Sequence, residues 1–234
     1  MIVTGKSDDL ERDDGQIVHI NDAGKRCQLL QSYPIPLYTG TGNIVSGVPI
    51  VCGGEPTDES YTSQCFMLDT NTSTWIFLSD MSTPRQDVAS SSLNGALWVT
   101  GGFTNNGAAE DASTEIIYLN GTVRYGPTLP SARDDHCMVT LHNGKVMILG
   151  SDGGTTNSKD VIIYDFARNI FQSAPSLLFE RKRSACTIFK STLHGDRPVV
   201  LVAGGDDTAT AEIYDYTYHT FWKESTYELP TYLE

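Results

Sequence analysis

Arg85, Arg133 and Arg181 stand 48 residues apart, twice over. A guanidinium held in one orientation grips a carboxylate through two parallel hydrogen bonds, so equivalent arginines around one opening would form a receptor for carboxylates. Five stretches, 6–15, 55–63, 103–113, 151–159 and 206–210, carry the opposite charge. They hold 13 of the 29 acidic residues and only three basic ones. Glu55, Asp58, Glu110, Asp111, Asp152 and Asp206 all lie in them. Were these stretches and the arginines to share a face, both charges of a peptide would find partners there. The competing reading is structural: each arginine pairs with a loop carboxylate or a backbone carbonyl and ties the fold together. Because the arginine recurs with the repeat itself, the structural reading carries the greater weight.

A repeat must position these residues. Met81, Leu129 and Leu177 keep the 48-residue spacing, as do Gly5, Gly53 and Gly101, while Gly150 and Gly204 follow at slightly longer intervals. Apolar runs end on the glycines: VPIVCGG at 48–54, LWVTGG at 97–102, KVMILG at 145–150 and VVLVAGG at 199–205. The runs are short, rich in β-branched and aromatic residues and bounded by Gly, Asn, Pro and Asp, so they read as strands; no helical period competes. A second spacing recurs, in which an aliphatic residue or tyrosine is followed seven positions later by an aromatic. The pairs are Leu68 and Trp75, Tyr118 and Tyr125, Tyr164 and Phe171, Tyr214 and Phe221, with Ile20 and Cys27 in the first unit. Four short strands per unit of this length is the pattern of a propeller blade.

The order of a glycine pair (Gly53-Gly54, Gly101-Gly102, Gly204-Gly205, and Gly150 before Ser151), a tyrosine, an aromatic seven residues on and then an arginine segment resembles the kelch repeat. The resemblance spans nearly the whole chain in five successive units, at about 1–36, 37–84, 85–132, 133–180 and 181–234. It implies a single all-β domain, a kelch-type β-propeller of five four-stranded blade units. Glycine would let the second strand end at positive φ close to the neighbouring blade, and the aromatic (Trp75, Tyr125, Phe171, Phe221) would fill the wedge between blades. Cys27 and Ser151 depart from the pattern and make units one and four less regular. With strands lettered a to d outward from the axis, unit one begins in strand b, and 19 strands are counted where a closed five-bladed ring needs 20. An unpaired inner edge exposes hydrogen-bonding groups, which favours a fragment of a six-bladed ring over an imperfectly closed five-bladed one.

Antiparallel alternation puts the b–c and d–a connections on one face, which joins the arginines to the acidic loops. In kelch propellers this face commonly carries the partner site. The resemblance therefore implies a non-catalytic scaffold for a protein or peptide. The net charge of −13, with a basic cluster only at Arg181, Lys182 and Arg183, disfavours nucleic acid and anionic lipid and points to a cationic or neutral partner. No apolar run approaches the ~18–20 residues of a membrane helix, and MIVTGKSDDLERDD shows no signal-peptide pattern.

No cofactor and no metal are expected. The five histidines, His19, His136, His142, His194 and His219, include no closely spaced pair, and His136 beside Cys137 reads as a satisfied core histidine. Copper radical oxidases resembling galactose oxidase also use kelch-like propellers, but need two copper-binding histidines and a cysteine-linked tyrosine. Sialidase-type propellers carry S-x-D-x-G-x-T-W boxes. SDGGTTN at 151–157 offers Asp152, Gly154 and Thr156 but lacks the matching serine and tryptophan. An oxidase-like or glycan-processing propeller enzyme is the alternative reading.

Cys52 and Cys65 fall on adjoining strands of one blade, whereas Cys137 and Cys186 fall on strands a of consecutive blades. Both pairs are disulfide candidates, with Cys27 left over and buried thiols as the alternative. The first pair is favoured, because inner strands of neighbouring blades can stand too far apart for the bond. Asn71-Thr-Ser and Asn120-Gly-Thr are glycosylation sequons in c–d turns, away from the binding face. VCGG…C…W also looks like kelch domains of secreted invertebrate proteins, so an extracellular location is favoured over a cytoplasmic one.

Overall fold

Hairpin turns set the first two strands of each repeat. Ser46-Gly47 has φ of 48° and 85°, and Asn94-Gly95 has 50° and 75°. Positive φ at both central residues is the type I′ turn, whose twist matches that of paired antiparallel strands. The computed structural model describes residues 2–7, 10–17, 28–29, 31–56, 60–104, 110–152, 158–206, 208–215 and 220–224, with side chains from 31 to 215. Four sheets of four antiparallel strands follow in chain order, and we number these blades two to five after their repeat units. Blade two holds Thr41–Val45, Val48–Cys52, Gln64–Asp69 and Thr74–Asp80. Blade three holds Ala89–Leu93, Ala96–Thr100, Thr114–Tyr118 and Val123–Tyr125. Blade four holds Cys137–Thr140, Val146–Leu149, Val161–Asp165 and Ile170–Ser173, and blade five holds Ala185–Ser191, Arg197–Ala203, Ala211–Asp215 and Thr220–Glu224.

The first unit forms a sheet of three strands, Ile2–Ser7, Leu10–Ile17 and Gln28–Leu29. Five four-stranded blades are therefore not found: the described residues make four, with the three-stranded sheet preceding them. The arrangement is that of a β-propeller, and its described helix is one turn at Thr192–His194.

Three apolar cores each lie between two blades. One joins Val45, Ile50 and Met81 to Val88, Leu97 and Ile117; the next joins Trp98 and Leu129 to Met138, Ile148 and Tyr164; the third joins Met147 and Leu177 to Val200 and Tyr214. The 48-spaced Met81, Leu129 and Leu177 are each 3% exposed and so belong to these wedges. Burying such a side chain contributes roughly 1.5–3 kcal/mol. The aromatic wedge expectation needs correction. Phe171 packs against Tyr164 with ring centroids 4.7 Å apart, and Trp75 against Tyr33 at 5.0 Å, but Tyr125 is 73% exposed. Tyr125 pairs with Glu115 on the outermost strand, out of step with the Leu68–Trp75 and Tyr164–Phe171 pairings, so its ring faces solvent. Trp98, at 1% exposure on strand b, supplies the bulk instead. The side chain of Phe221 lies outside the described set.

Inner strands of successive blades touch through a repeated pair. Thr41 Oγ1 donates to Ser90 Oγ at 2.8 Å across 49 residues of sequence. Cys137 and Cys186 occupy the equivalent positions two junctions along the ring, also 49 apart, and form a disulfide with Cα atoms 6.0 Å apart. The distance argument against this pair fails because the inner strands converge toward the axis. Cys52 and Cys65 are directly opposed on adjacent strands, Cα–Cα 4.1 Å, and form the second disulfide. Cys27 lies outside the described residues.

The arginines bind the blades to one another and their own loops to their sheets. Gly54 N–H donates to the Arg85 carbonyl at 2.9 Å, Gly102 N–H to that of Arg133 at 2.7 Å, and Ser151 N–H to that of Arg181 at 3.2 Å. Each bond runs from one blade to the next. At Gly101 a Cβ would fall inside contact distance of the Arg133 carbonyl oxygen, and φ is 63°, so only glycine fits. Each guanidinium then turns into its own blade: Arg85 Nη1 donates to Gly101 O at 2.8 Å, Arg133 Nη1 to Gly150 O at 3.0 Å and Arg181 Nη1 to Gly204 O at 2.6 Å. Arg85 and Arg181 also meet buried carboxylates, Glu115 at 3.2 Å and Glu212 at 2.9 Å, all four side chains being 0% exposed. The same carboxylates accept the N–H groups of Ser82 and Thr83, and of Leu178 and Phe179.

In blade two the equivalent positions are Leu37 and Phe66, which pack together in an apolar cluster with Val51. Removing one partner of a buried pair leaves an uncompensated charge. We predict that Glu115→Gln lowers stability by about 3–5 kcal/mol in denaturant unfolding. Adding Arg85→Leu to Glu115→Phe, which copies blade two, should recover part of the sum of the single losses. A coupling energy near zero in that double-mutant cycle would show that the two side chains do not act as a pair.

Candidate functional site

Two residues past each arginine position the repeat places Thr39, Asp87, Asp135 and Arg183, again 48 apart. All four have left-handed φ, of 58°, 52°, 49° and 55°. Such a conformation is unfavourable for residues with a Cβ and persists only where the surroundings hold it. Here a backbone ladder holds it: Asp87 N–H donates to Thr39 O at 3.2 Å, Asp135 N–H to Asp87 O at 3.0 Å, and Arg183 N–H to Asp135 O at 2.9 Å. Each rung crosses from one blade to the next. A cavity of about 300 Å³ is lined by Thr39, Asp87, Asp135, His136, Arg183 and Ser184, residues from all four blades, so it sits at the mouth of the axis.

Charge concentrates around this mouth. Arg183 Nε is 2.9 Å from Asp135 Oδ2, Arg183 Nη1 is 3.1 Å from Asp206 Oδ2, and Lys182 Nζ is 3.1 Å from Asp152 Oδ1. Burial, with Asp135 nearby, pushes the Asp87 carboxyl up to about 6. Burial and the neighbouring Asp135, Glu110, Asp152 and Asp87 push Asp134 up to about 7. Asp135 is raised by burial and partly restored by Arg183. His136 lies deeper, 7% exposed, with Nε2 2.7 Å from Thr100 Oγ1; burial first and the Arg133 charge second bring it down to about 3. It is a neutral core histidine, as the sequence suggests. The arrangement is a concave, carboxylate-rich opening with two cations on one side, suited to binding cationic groups by charge and hydrogen bonding.

The residues expected from sequence fall into two groups. Arg85, Arg133 and Arg181 are 0–1% exposed, and each turns its Nη1 to a glycine carbonyl of its own blade. That geometry corrects the idea of carboxylate forks open to a partner, in favour of the structural alternative. Asp111 also serves the fold, accepting the Ser113 N–H at 2.7 Å. Glu55 and Glu110 are partly exposed at the loop ladders, Asp152 and Asp206 are exposed at the rim, and Asp58 lies outside the described residues. Asn71 and Asn120 are exposed in c–d turns. Sequence reading missed Asp87, Asp134, Asp135 and the buried Glu115 and Glu212. The 48-residue spacing of Thr39, Asp87, Asp135 and Arg183 was visible, but a change from threonine to aspartate to arginine along it concealed it.

These carboxyls set a pH dependence. Around them stand Glu110, Asp152, Asp206, Arg133, Lys182, Arg183 and neutral His136. A carboxyl raised in the folded state holds its proton to higher pH than in the unfolded chain, so between pH ~4 and ~7 the folded state binds more protons and stability falls as pH rises. With chelator present, the melting midpoint should be higher at pH 5 than at pH 7.5. Asp87→Asn should flatten that difference; a midpoint rising over the interval would contradict the assignment.

No protein-family model matches the chain, and no curated protein matches it in sequence. Among solved structures it is similar to that of YjhT, with a TM-score of 0.75 and 11% identity over 91% of this chain and 83% of that chain. The likeness extends to the fold alone, that of a β-propeller.

Proposed function

We propose that the protein is a kelch-type propeller scaffold that binds a protein or peptide through the face formed by its b–c and d–a connections, without catalysis. One observation carries this reading: the axial mouth gathers Asp87, Asp134, Asp135, Asp152 and Asp206 around a cavity lined from all four blades. The partner presents lysine or arginine to it, in keeping with a chain charge of −13. Kelch membership is supported by the 48-residue repeat of glycine pair, aromatic and arginine. Two disulfides accord with an extracellular setting, as do exposed sequon asparagines on the opposite side.

The test is affinity capture on the immobilised chain with mass spectrometry, with and without reductant. We expect a basic partner whose binding weakens steeply with salt. Glu55→Gln with Asp206→Asn should reduce its capture about tenfold while the melting midpoint shifts by only a few degrees. Capture insensitive to both salt and these substitutions would rule out this face. Copper bound in stoichiometric amount would instead favour the oxidase-like alternative.

A further inference from the structure

Beside the axial mouth, Asp134, Asp135 and Asp152 each place one carboxylate oxygen within 4.8 Å of the others. Two ligands of one Ca²⁺, each at 2.3–2.6 Å, stand at most about 4.6–5.2 Å apart, so oxygens at this spacing fit around a single ion. Mg²⁺ demands near-ideal octahedral geometry and gives up its waters reluctantly, whereas Ca²⁺ accepts irregular sets of carboxylates. Spacing of this kind is common on acidic surfaces, and Asp134 is what sets this group apart. Its residue is 2% exposed, yet its Oδ1 has no hydrogen-bond partner. Buried carboxylate oxygens are ordinarily paired, because desolvating them without a partner is costly.

The nearby cations leave Asp134 Oδ1 without a hydrogen bond. Lys182 pairs with Asp152 and Arg183 with Asp135, while Arg133 donates to Gly150 O and lies 3.8 Å from Asp160. The backbone braces the group, since Asp152 N–H donates to the Asp134 carbonyl at 3.2 Å. Asp206, 3.1 Å from Arg183 Nη1 and 3.8 Å from Lys182 Nζ, gives both cations a second carboxylate when an ion takes Asp135 and Asp152.

We propose that Asp134, Asp135 and Asp152 form a divalent-cation site that prefers Ca²⁺. All the side-chain donors are hard oxygens, which excludes the softer thiolate-seeking metals. Three carboxylates leave the rest of a six- to eight-ligand shell to water and carbonyls, which places the affinity with weak extracellular modules, at a Kd of about 10⁻⁴–10⁻³ M.

The full chain, stripped with chelator, is titrated with CaCl₂ by calorimetry and then melted with and without 10 mM CaCl₂. We expect one ion per chain and a midpoint raised by roughly 3–10 °C. Asp134→Asn and Asp152→Asn should each weaken the binding at least tenfold. Asp152 is exposed, so Asp152→Asn carries the test should Asp134→Asn fail to fold. No heat and no shift would overturn the site, as would a response unchanged in Asp152→Asn. An equal response to MgCl₂ at the same ionic strength would indicate charge screening and overturn it too.

Discussion

Each arginine at the head of a blade is used at both ends. Its carbonyl accepts an N–H from the glycine segment of the preceding blade, and its guanidinium donates to the glycine carbonyl of its own. Blades two to five are thereby linked in series, one backbone bond and one side-chain bond per step. The glycines are required because a carbonyl from the next blade occupies the space of a Cβ. A left-handed residue two positions on supplies a second link to the same neighbour, and that second link shapes the axial mouth. The acidic opening is thus a by-product of the contacts that stack the blades.

The same positions tolerate different chemistry as long as shape and satisfaction are kept. Arg85 with Glu115 and Arg181 with Glu212 form buried polar sets, in which the carboxylate also caps the loop that delivers the arginine. Blade two replaces the pair with Leu37 and Phe66, and blade four keeps Arg133 opposite Ile162 and the more distant Asp160. Buried ion pairs contribute little net stability over apolar equivalents, and their value lies in orientation. The junction between inner strands shows similar exchange, a hydroxyl pair at Thr41 and Ser90 becoming a disulfide at Cys137 and Cys186.

Much of the architecture was legible because the repeat is strict where backbone geometry demands it. Gly53, Gly101 and Gly150 mark the strand ends, and Met81, Leu129 and Leu177 mark the wedges. Tyr125 misled because a seven-residue spacing fixes sequence position but not strand pairing: a tight turn closed by Tyr118 N–H on Thr122 O sets a register that puts Tyr125 opposite Glu115. The first unit, read as beginning in strand b, does form three strands, so it does not complete a fifth four-stranded blade. The arginines were read correctly as repeat elements, yet Arg85 and Arg181 are buried against Glu115 and Glu212, carboxylates some 30 residues away that only the fold brings near. Asp134 and Asp135 look like ordinary polar linker residues; their burial arises from blade stacking, which no local pattern encodes.

Amide hydrogen exchange reads the interblade links directly. If the arginine carbonyls and the left-handed ladder hold the blades, the amides of Gly54, Gly102, Asp135 and Arg183 will exchange only through global unfolding, as slowly as those of the fully buried strand Ala96–Thr100. Exchange of those four amides at the rate of open loops, with the strand amides still protected, would contradict the account.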